Sequence, residues 1–541
     1  MKKYFLLHKK KSLIFLLIAI LSSFLTAGLG FIYSLLTQMA LGKDLHQFLL
    51  VAGFAIVYLI VEAYFDYVPR YSKSKLLNSV MHSMRCELII HYSKRDLGIL
   101  LNEEATERSN RVVNDLPLIQ SEYLSPILAL IRTSFLFVFS LIGAFYLQGI
   151  LTLIMLALCF IPLLAPLINS KILSNNKKET QNKKNQFLKD FENFSRNIST
   201  VIITNSSKVF QKILNHSSHQ MKDATIFLNK QESKTIAISY GLSGIVYSGT
   251  WIIGGFFVFM HHLTVPGLIA MTTLMNTVAG PIQYLSELST MISGSKGVAK
   301  DYLSFITDKT QENAEKAQSF KERLEHLQVR NISYSFENRI LFDNVTYDFV
   351  SNKKYAIKGE SGAGKTTLLR ILMGISKSDS GEVLLNEKNL NEISSQSYFK
   401  KLAYVPQKTA IFSGTLAENV TMYQEYDRVK VISCLEKAGL GKLLQEIDNN
   451  IEIELGKGLT LSGGEERRLD IARALYHAAE IMILDEPTSG LDSINEQAIA
   501  GVIGNIENVI IIVVTHSNNQ EFLSIFDKVL EIKNSSLLEQ N

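Results

Sequence analysis

Long stretches without a charged side chain alternate with polar, mostly basic segments through the first 300 residues. Asp, Glu, Lys and Arg are absent from residues 13–42, 133–170 and 235–286. As single helices, the last two stretches would far exceed the ~30 Å hydrocarbon core of a membrane. Each is therefore expected to fold back as a hairpin, near Gln148 in one and near Pro266 in the other. With the apolar run 49–68, the pattern predicts six membrane-spanning helices.

The distribution of positive charge predicts how these helices are oriented. The first 300 residues hold 29 Lys and Arg against 16 Asp and Glu, and the rest hold 26 against 35. Lys and Arg concentrate at the N-terminus and in 70–111 and 171–234, whereas Lys43 alone falls in the short intervening loops. The positive-inside rule then places both termini in the cytosol, in a multi-pass protein of the cytoplasmic membrane. Interleaved apolar runs indicate membrane lipid, and not nucleic acid, as the partner of this basic half. The first run is too long for a cleaved signal peptide.

The second half of the chain has a different pattern. From about residue 327, short apolar runs alternate with helix-like stretches, which is typical of an α/β domain. We expect an all-α six-helix transmembrane domain over 1–300 with two long cytosolic loops, a charged linker over 301–326 and a P-loop α/β domain over 327–541. The three cysteines are far apart in sequence, which disfavours a disulfide framework.

A glycine-rich loop follows the predicted strand KYAIK (354–358) and precedes a helical pattern. Its sequence GESGAGKT matches the phosphate-binding pattern G-x-x-x-x-G-K-[ST] in the structural context that this pattern requires. Backbone N–H groups would hold phosphate oxygens, Lys365 would reach the outer phosphates and Thr366 would bind magnesium. An ordinary glycine-rich turn before a helix is the alternative interpretation.

Two carboxylates follow the apolar run IMIL, which ends at residue 484. A continuous apolar run suits a strand buried on both faces, and ligands of α/β sheets bind at the carboxyl ends of such strands. Asp485 is suited to the magnesium shell and Glu486 to polarising a water for attack on the γ-phosphate. Another buried strand is predicted before His516. Alone, the acids would more often begin a helix, and the histidine would be structural.

A second glycine patch, LSGGE at 461–465, begins a helix-like run about a hundred residues after the first. The N–H groups and dipole of a helix N-terminus make an anion site. Because a nucleotide has one γ-phosphate, two patches predict a head-to-tail pair of identical domains. Each domain would close over the nucleotide held by the other.

These motifs occur in an order that resembles an ATP-binding cassette (ABC) half-transporter of the exporter type, over nearly the whole chain. In the membrane half, 109–115 and 263–282 resemble exporter motifs more weakly. The C-terminal motifs are the Walker A loop at 359–367, the glutamine loop at 404–407, IFSGTLAEN at 411–419, the signature at 461–465, ILDE at 483–486, the D-loop at 489–492 and the switch histidine at 516.

The resemblance implies an ATP hydrolase that drives export, with ATP and Mg²⁺ as cofactors. Glu486 and His516 would be catalytic, and Thr366, Gln407 and Asp485 would surround the metal. Phe336 would stack on adenine, although a strand core position is its alternative role. The complete set of nucleotide-binding residues implied is Phe336, Gly359, Glu360, Ser361, Gly362, Ala363, Gly364, Lys365, Thr366, Thr367, Gln407, Ser462, Gly463, Gly464 and Glu465.

Some positions depart from the pattern of the family. The signature ends in Glu465 where glutamine is usual, Phe336 replaces the more common tyrosine, and the segment before the signature matches poorly. Each departure could lower the ATPase rate or its coupling, but no group needed for hydrolysis is missing. A homodimer is therefore expected, and a heterodimer with a second half-transporter stays open.

The nature of the substrate is open at this level: a peptide, a drug-like molecule or a lipid. Glu62, Arg132 and Glu287 lie inside or at the ends of predicted spans, where ionisable residues are functional candidates, with structural pairing as the alternative. A membrane-bound ATPase that acts as a regulator or gated channel is the competing class. Glu486 and His516 favour the pump, because a pure switch does not require a hydrolytic base.

Overall fold

The computed structural model describes residues 1–95, 97–103, 105–160, 164–308, 318–337 and 339–540. The chain divides into two compact units. One comprises Met1–Ser93 and Glu104–Thr307, and the other comprises Lys94–Glu103 and Asp308–Asn541. Residues 309–317 of the predicted linker lie outside the described residues, and the domain bounds drawn from sequence stay a prediction.

The first unit is helical throughout its described residues. Two short π-helical stretches, Arg111–Asp115 and Ile119–Leu124, interrupt its α-helices. The described α-helices up to residue 307, of which α4 belongs to the second unit, are α1 (Lys2–Leu7), α2 (Lys9–Leu41), α3 (Leu45–Lys94), α4 (Leu97–Asn102), α5 (Ala105–Asn110), α6 (Leu116–Leu118), α7 (Ser125–Leu147), α8 (Gly149–Cys159), α9 (Leu164–Arg196), α10 (Ile198–Ile203), α11 (Ser207–Phe259) and α12 (Val265–Ile306).

Among the described residues, five helical stretches are long and apolar enough to cross a membrane. They are Lys9–Leu41, Leu45–Lys94, Glu107–Leu147, Ser207–Phe259 and Val265–Ile282. The remaining predicted span falls on α8 and the start of α9, on either side of residues 161–163, which are not described. The all-α class predicted for this half is confirmed, and its helices follow the order of the six predicted spans.

Two of these helices extend well beyond the thickness of a bilayer. The 50 residues of α3 and the 53 residues of α11 correspond to about 75 and 80 Å, against a core of ~30 Å. The polar, basic segments between apolar runs are therefore continuations of the spanning helices, and not irregular loops.

A buried polar contact joins α1, α3 and α12. The side chain of Tyr4 is 1% exposed, and its hydroxyl donates to Glu87 Oε2 at 2.6 Å. The hydroxyl of Tyr302 donates to the carbonyl of Met84 at 2.8 Å. Since buried hydroxyls need partners, these bonds specify how the three helices pack at this end of the unit.

The second unit contains two sheets among its described residues. One has the strand order β2-β1-β4-β5 and is antiparallel, and the other has the order β10-β9-β3-β8-β7-β6. The strands are β1 (His326–Phe336), β2 (Arg339–Val350), β3 (Lys354–Gly359), β4 (Ser380–Leu385), β5 (Lys388–Asn389), β6 (Leu402–Val405), β7 (Ile481–Asp485), β8 (Ile510–Val514), β9 (Lys528–Lys533) and β10 (Ser536–Gln540).

Helices cover the larger sheet, as the alternating pattern predicts. Every residue of β7 and β8 is buried, which explains why both strands read as continuous apolar runs. The predicted α/β class of this half is confirmed. The described helices are α13 (Lys365–Leu372), α14 (Ser395–Phe399), α15 (Leu416–Thr421), α16 (Arg428–Lys437), α17 (Gly441–Glu446), α18 (Gly463–Tyr476), α19 (Ser493–Gly504) and α20 (Gln520–Leu523).

Candidate nucleotide-binding and hydrolysis site

Four neighbouring parallel strands place the predicted site residues along one edge of the larger sheet. In register, β3 pairs with β8, β8 with β7, and β7 with β6. The carboxyl ends of parallel strands meet at the same edge, which is where α/β sheets bind ligands. The glycine-rich loop follows β3, His516 follows β8, Glu486 follows β7 and Gln407 follows β6.

The glycine-rich loop has the backbone conformation that phosphate binding requires. Gly364 has φ 99°, in the left-handed region, and an added Cβ would lie 2.9 Å from Cζ of Phe342. Only glycine fits there without strain. The ammonium of Lys365 donates to the carbonyls of Gly359 at 2.9 Å and Glu360 at 3.0 Å, which holds it against the loop. The free N–H groups at the start of α13 suit a phosphate.

The remaining loop residues are arranged by this turn. The N–H of Ala363 donates to the carbonyl of Glu360 at 3.1 Å, which closes a tight turn around Ser361 and Gly362. Thr366 and Thr367 follow Lys365 in the first turn of α13. The structure thus brings the predicted members of this loop together in one turn, while their contacts with a nucleotide stay a proposal.

The electrostatics of the edge fit a cation. Asp485 is 6% exposed, and burial together with the charge of Glu486 raises its pKa. Burial lowers the pKa of Lys365, against the opposing effects of Glu486 and Asp485. A buried carboxylate that is costly to ionise alone is stabilised by a metal ion, and its oxygen atoms are of the kind that Mg²⁺ prefers. Asp485 therefore fits the predicted magnesium site, and Thr366, the other predicted ligand with an oxygen donor of this kind, lies in the first turn of α13.

Two other predicted site residues, Gln407 and His516, converge on the carboxylate of Glu486. Its Oε2 accepts a hydrogen bond from Nε2 of Gln407 at 2.9 Å, and its Oε1 lies 3.2 Å from Nε2 of His516. Its backbone has φ 50°, which is costly for a residue with a side chain. The N–H of Glu486 donates to the carbonyl of Val514 at 2.9 Å, and this bond to β8 holds the conformation. The carboxylate is positioned by the sheet itself.

The second glycine patch forms the N-terminus of α18. Ser462 is the N-cap, and Glu465 completes a capping box. One carboxylate oxygen, Oε2 of Glu465, accepts both the N–H and the hydroxyl of Ser462 at 2.7 Å. An added Cβ on Gly464 would lie 2.9 Å from Oδ1 of Asn495. Among the described residues, no hydrogen bond joins this patch to the glycine-rich loop of the same chain, so within one subunit the two are separate features.

Phe336 lies at the end of β1, opposite Arg339 in register with β2. Its side chain is 60% exposed, so it is not part of a strand core. An exposed aromatic face is available for stacking on a base. Its predicted contact with adenine stays a proposal.

Residues to which the sequence pattern assigned no role also shape the site. Asn419 is fully buried, and its amide group donates to the carbonyls of Phe412 at 2.9 Å and Thr415 at 3.0 Å. The hydroxyl of Tyr404, on β6, lowers the pKa of Asp485 against the effect of burial. Asn419 ends the motif IFSGTLAEN, so the motif did point to this loop. No local pattern indicated the contact between Tyr404 and Asp485, because it crosses between strands.

Comparison with protein families covers both halves of the chain. A family model described as the ABC transporter transmembrane region matches residues 12–282, and one described as ABC transporter matches residues 342–489. The chain belongs to the ABC transporter family. The fusion of both regions in one chain makes it an exporter-type half-transporter, with an ATPase that is coupled to transport.

Curated relatives of this ABC transporter are moderately similar. The glutathione/L-cysteine transport system protein CydC of Haemophilus influenzae is 34% identical over 230 residues, which span 41% of this chain and 39% of that protein. The ATP-dependent lipid A-core flippase of Escherichia coli K12 is 24% identical over 481 residues, which span 88% of this chain and 81% of the flippase.

A solved structure supports the fold of the ABC transporter. A bacterial Atm1-family ABC exporter with ATP bound superimposes with a TM-score of 0.83 at 17% identity, and the match covers 98% of this chain and 94% of that one. At this identity the likeness concerns the fold alone. The predicted architecture, helical in the membrane half and α/β in the cassette, is that of a known exporter.

The buried carboxylate of Asp485 yields a stability prediction. Because its pKa is raised in the folded chain, its contribution to stability is complete below its ordinary value of 3.8 and is lost as pH rises through the raised value. Asp485→Asn should therefore raise the thermal unfolding midpoint of the nucleotide-free transporter near pH 7. The gain should shrink as the pH falls toward the ordinary value.

Thermal unfolding of the full chain at several pH values, with and without Mg-ATP, tests this prediction. The same substitution should weaken the protection that Mg-ATP gives, because it removes the predicted metal ligand. Asp343→Asn changes an exposed carboxylate and serves as the control. Destabilisation of Asp485→Asn at neutral pH would contradict the proposed electrostatic cost.

Proposed function

We propose that this half-transporter works as a homodimer in the cytoplasmic membrane, with both cassettes in the cytosol, and exports an amphipathic substrate at the expense of two sandwiched ATP molecules. The observation that carries the proposal is the convergence of Gln407 and His516 on the carboxylate of Glu486. A chain that only sensed nucleotide would not need a hydrolytic base held in this way.

The residues along the sheet edge divide the work of hydrolysis. Glu486 accepts the proton of the attacking water, since its carboxylate is held by neighbours and partly exposed. His516 and Lys365 hold the γ-phosphate, whose negative charge spreads further in the transition state. Thr366, Gln407 and Asp485 would hold Mg²⁺, which when bound neutralises phosphate charge.

The signature helix supplies the trans half of each site. Ser462, Gly463 and Gly464 of one subunit would face the γ-phosphate on the glycine-rich loop of the other. Two nucleotides bound in this way favour the closed pair of cassettes, and loss of the γ-phosphate favours the open pair. The membrane cavity would then alternate between its two orientations as the cassettes close and separate.

A charged cluster in the membrane unit is the proposed contact for the polar part of the substrate. Nη2 of Arg132 on α7 lies 2.6 Å from Oδ1 of Asp66 on α3, and Nη2 of Arg70 lies 2.7 Å from Oδ2 of the same carboxylate. Glu62, one turn away, accepts a hydrogen bond from the hydroxyl of Thr26 at 3.0 Å. Ionisable groups among spanning helices are costly to retain without a function.

The composition of this cluster favours an acidic group on the substrate. The side chain of Arg70 is 71% exposed and that of Arg132 is 27% exposed, so both guanidinium groups keep donors beyond Asp66. Apolar helices around the cluster suit an acyl or aromatic portion. The names of the flippase and glutathione/L-cysteine relatives are compatible with such a substrate. Glu287, the other candidate from the sequence, has a side chain outside the described ones.

Hydrolysis by the chain alone tests the pump. The transporter in lipid nanodiscs should form a two-copy assembly that hydrolyses ATP, and Glu486→Gln should lower kcat by about 100-fold or more while ATP still binds. Glu436→Gln, on the exposed face of α16, is the control and should be neutral. Closure by ATP without hydrolysis in the unaltered chain would favour a regulator or gated channel. An inactive monomer would point to a second half-transporter as partner.

The carboxylate of Glu465 should weaken the trans anion site. In the sandwich its negative charge would lie next to the γ-phosphate of the partner's nucleotide, where the helix dipole otherwise attracts anions. Glu465→Gln keeps the capping box, because glutamine can also accept the N–H of Ser462. We expect kcat/KM for ATP to rise a few-fold, and the gain to decline with added salt. Unchanged or lower kcat/KM would place Glu465 away from the phosphate.

Replacing Arg132 should weaken the stimulation of ATP hydrolysis by substrate and leave the basal rate unchanged. Arg132→Gln removes one guanidinium from the proposed acidic-group contact while Arg70 still pairs with Asp66. The apparent affinity for an acidic amphiphile, measured from its stimulation of ATP hydrolysis, should fall about tenfold. The basal rate of hydrolysis should be retained. Arg85→Gln alters an exposed arginine of α3, the helix that carries Asp66 and Arg70, and is the control. Equal effects of both variants would argue against a substrate contact.

A further inference from the structure

One arginine connects the glutamine loop to the signature helix within a cassette. Nη1 of Arg467 donates to the carbonyl of Pro406 at 2.6 Å and lies 3.5 Å from the hydroxyl of Thr409. Pro406 immediately precedes Gln407, whose amide contacts Glu486. Arg467 is five residues after Ser462 in α18, or about 7.5 Å along the helix axis. A charge-assisted bond therefore ties the loop that contacts the catalytic carboxylate to the helix that begins at the anion site.

A buried ion pair on the next turn of α18 braces this contact. Asp470 Oδ1 lies 2.6 Å from Nη1 of Arg473, and the two side chains are 5% and 12% exposed. Arg473 also donates to the carbonyl of Asn419 at 2.7 Å and to its Oδ1 at 3.0 Å. The hydrogen bonds to Asn419 thereby fasten α18 to α15 as well. Breaking the contact between Asp470 and Arg473 would leave a buried charge unpaired, so this arrangement resists rearrangement.

Charge keeps Arg467 in place. Burial raises the pKa of Asp470, while the hydroxyl of Thr409 and the guanidinium groups of Arg473 and Arg467 act in the opposite direction. Removing the Arg467 guanidinium would leave the carbonyl of Pro406 without this donor and Asp470 with less positive charge nearby. The Arg467 guanidinium is thus held by the carbonyl of Pro406 and by the charge of Asp470.

We propose that Arg467 is a positioning residue that couples the two nucleotide sites of the dimer. The proposal rests on the proposed function, since it needs the trans role of the signature helix. When nucleotide on one cassette shifts Gln407, the backbone at Pro406 moves with it. Arg467 carries that displacement to α18, whose N-terminus at Ser462 faces the partner's nucleotide. Occupancy of one site then improves the geometry of the other, which is a coupling free energy between sites.

The ATP dependence of hydrolysis by the full transporter in nanodiscs tests the coupling. The unaltered chain should show a Hill coefficient above one. Arg467→Ala should bring the coefficient close to one and lower kcat about fivefold or more, with a smaller change in the KM for ATP. Arg467→Lys retains one donor for the Pro406 carbonyl, so its Hill coefficient and its kcat should lie between those of Arg467→Ala and those of the unaltered chain. Lys437→Ala removes an exposed charge in the same region and should change neither.

The controls separate this proposal from the general mechanism. If Glu486→Gln fails to stop hydrolysis, the proposed function is wrong. If it stops hydrolysis but Arg467→Ala keeps the Hill coefficient and kcat of the unaltered chain, the coupling role alone is wrong. A Hill coefficient of one in the unaltered chain also overturns the coupling.

Two milder variants test the proposal if Arg467→Ala does not fold. Should Arg467→Ala fail to give a monodisperse dimer, Arg467→Lys and Thr409→Val decide, since each keeps part of the contact. Both should lower the Hill coefficient while the thermal unfolding midpoint stays at that of Lys437→Ala. A fall in the midpoint with an unchanged coefficient would assign Arg467 a structural role only and would overturn the proposal.

Discussion

The hydrogen bond between the N–H of Glu486 and the carbonyl of Val514 is the constraint on which the geometry of the proposed catalytic site depends. It closes the end of β7 onto β8 and holds Glu486 in a left-handed conformation, which is unfavourable for a residue with a side chain. Because both strands are buried on both faces, the sheet can maintain this conformation. The carboxylate then points to a place where residues from two other strand ends, Gln407 and His516, can reach it.

The same edge concentrates negative charge, and this explains much of the electrostatics of the cassette. Asp485 is buried beside Glu486, and burial together with the charge of that neighbour makes ionisation of Asp485 harder. Lys365 offsets only part of this charge. A cassette without nucleotide thus retains an unfavourable arrangement that a metal ion would relieve. Stability and ligand affinity are opposed at this site.

Sequence patterns were sufficient for the class and order of elements, because the relevant signals are local. Uncharged runs mark spans, apolar runs mark buried strands, and the glycine-rich loop is recognised from its strand and helix. The contact of Arg467 with Pro406 joins residues 61 positions apart, and no periodicity reports such a pair. The capping role of Glu465 was not predicted either, although Ser462 and Glu465 have the S-x-x-E spacing of a capping box. The sequence showed a departure from glutamine, whereas only the structure shows its carboxylate bonded to Ser462.

The length of α3 has a mechanical consequence. The 50 residues of α3 extend over about 75 Å. Pro69 lies inside the helix and is a point at which it can bend. Where the segments on its two sides move as one body, a tilt of about 5° at one end displaces the other by roughly 6 Å, more than one helical turn. Tyr4 and Tyr302 bond to α3 at Glu87 and Met84, in the C-terminal part of the helix. The helices α1 and α12 must therefore follow its displacement together. Small rotations among the spanning segments are in this way converted into large, concerted movements far from the lipid.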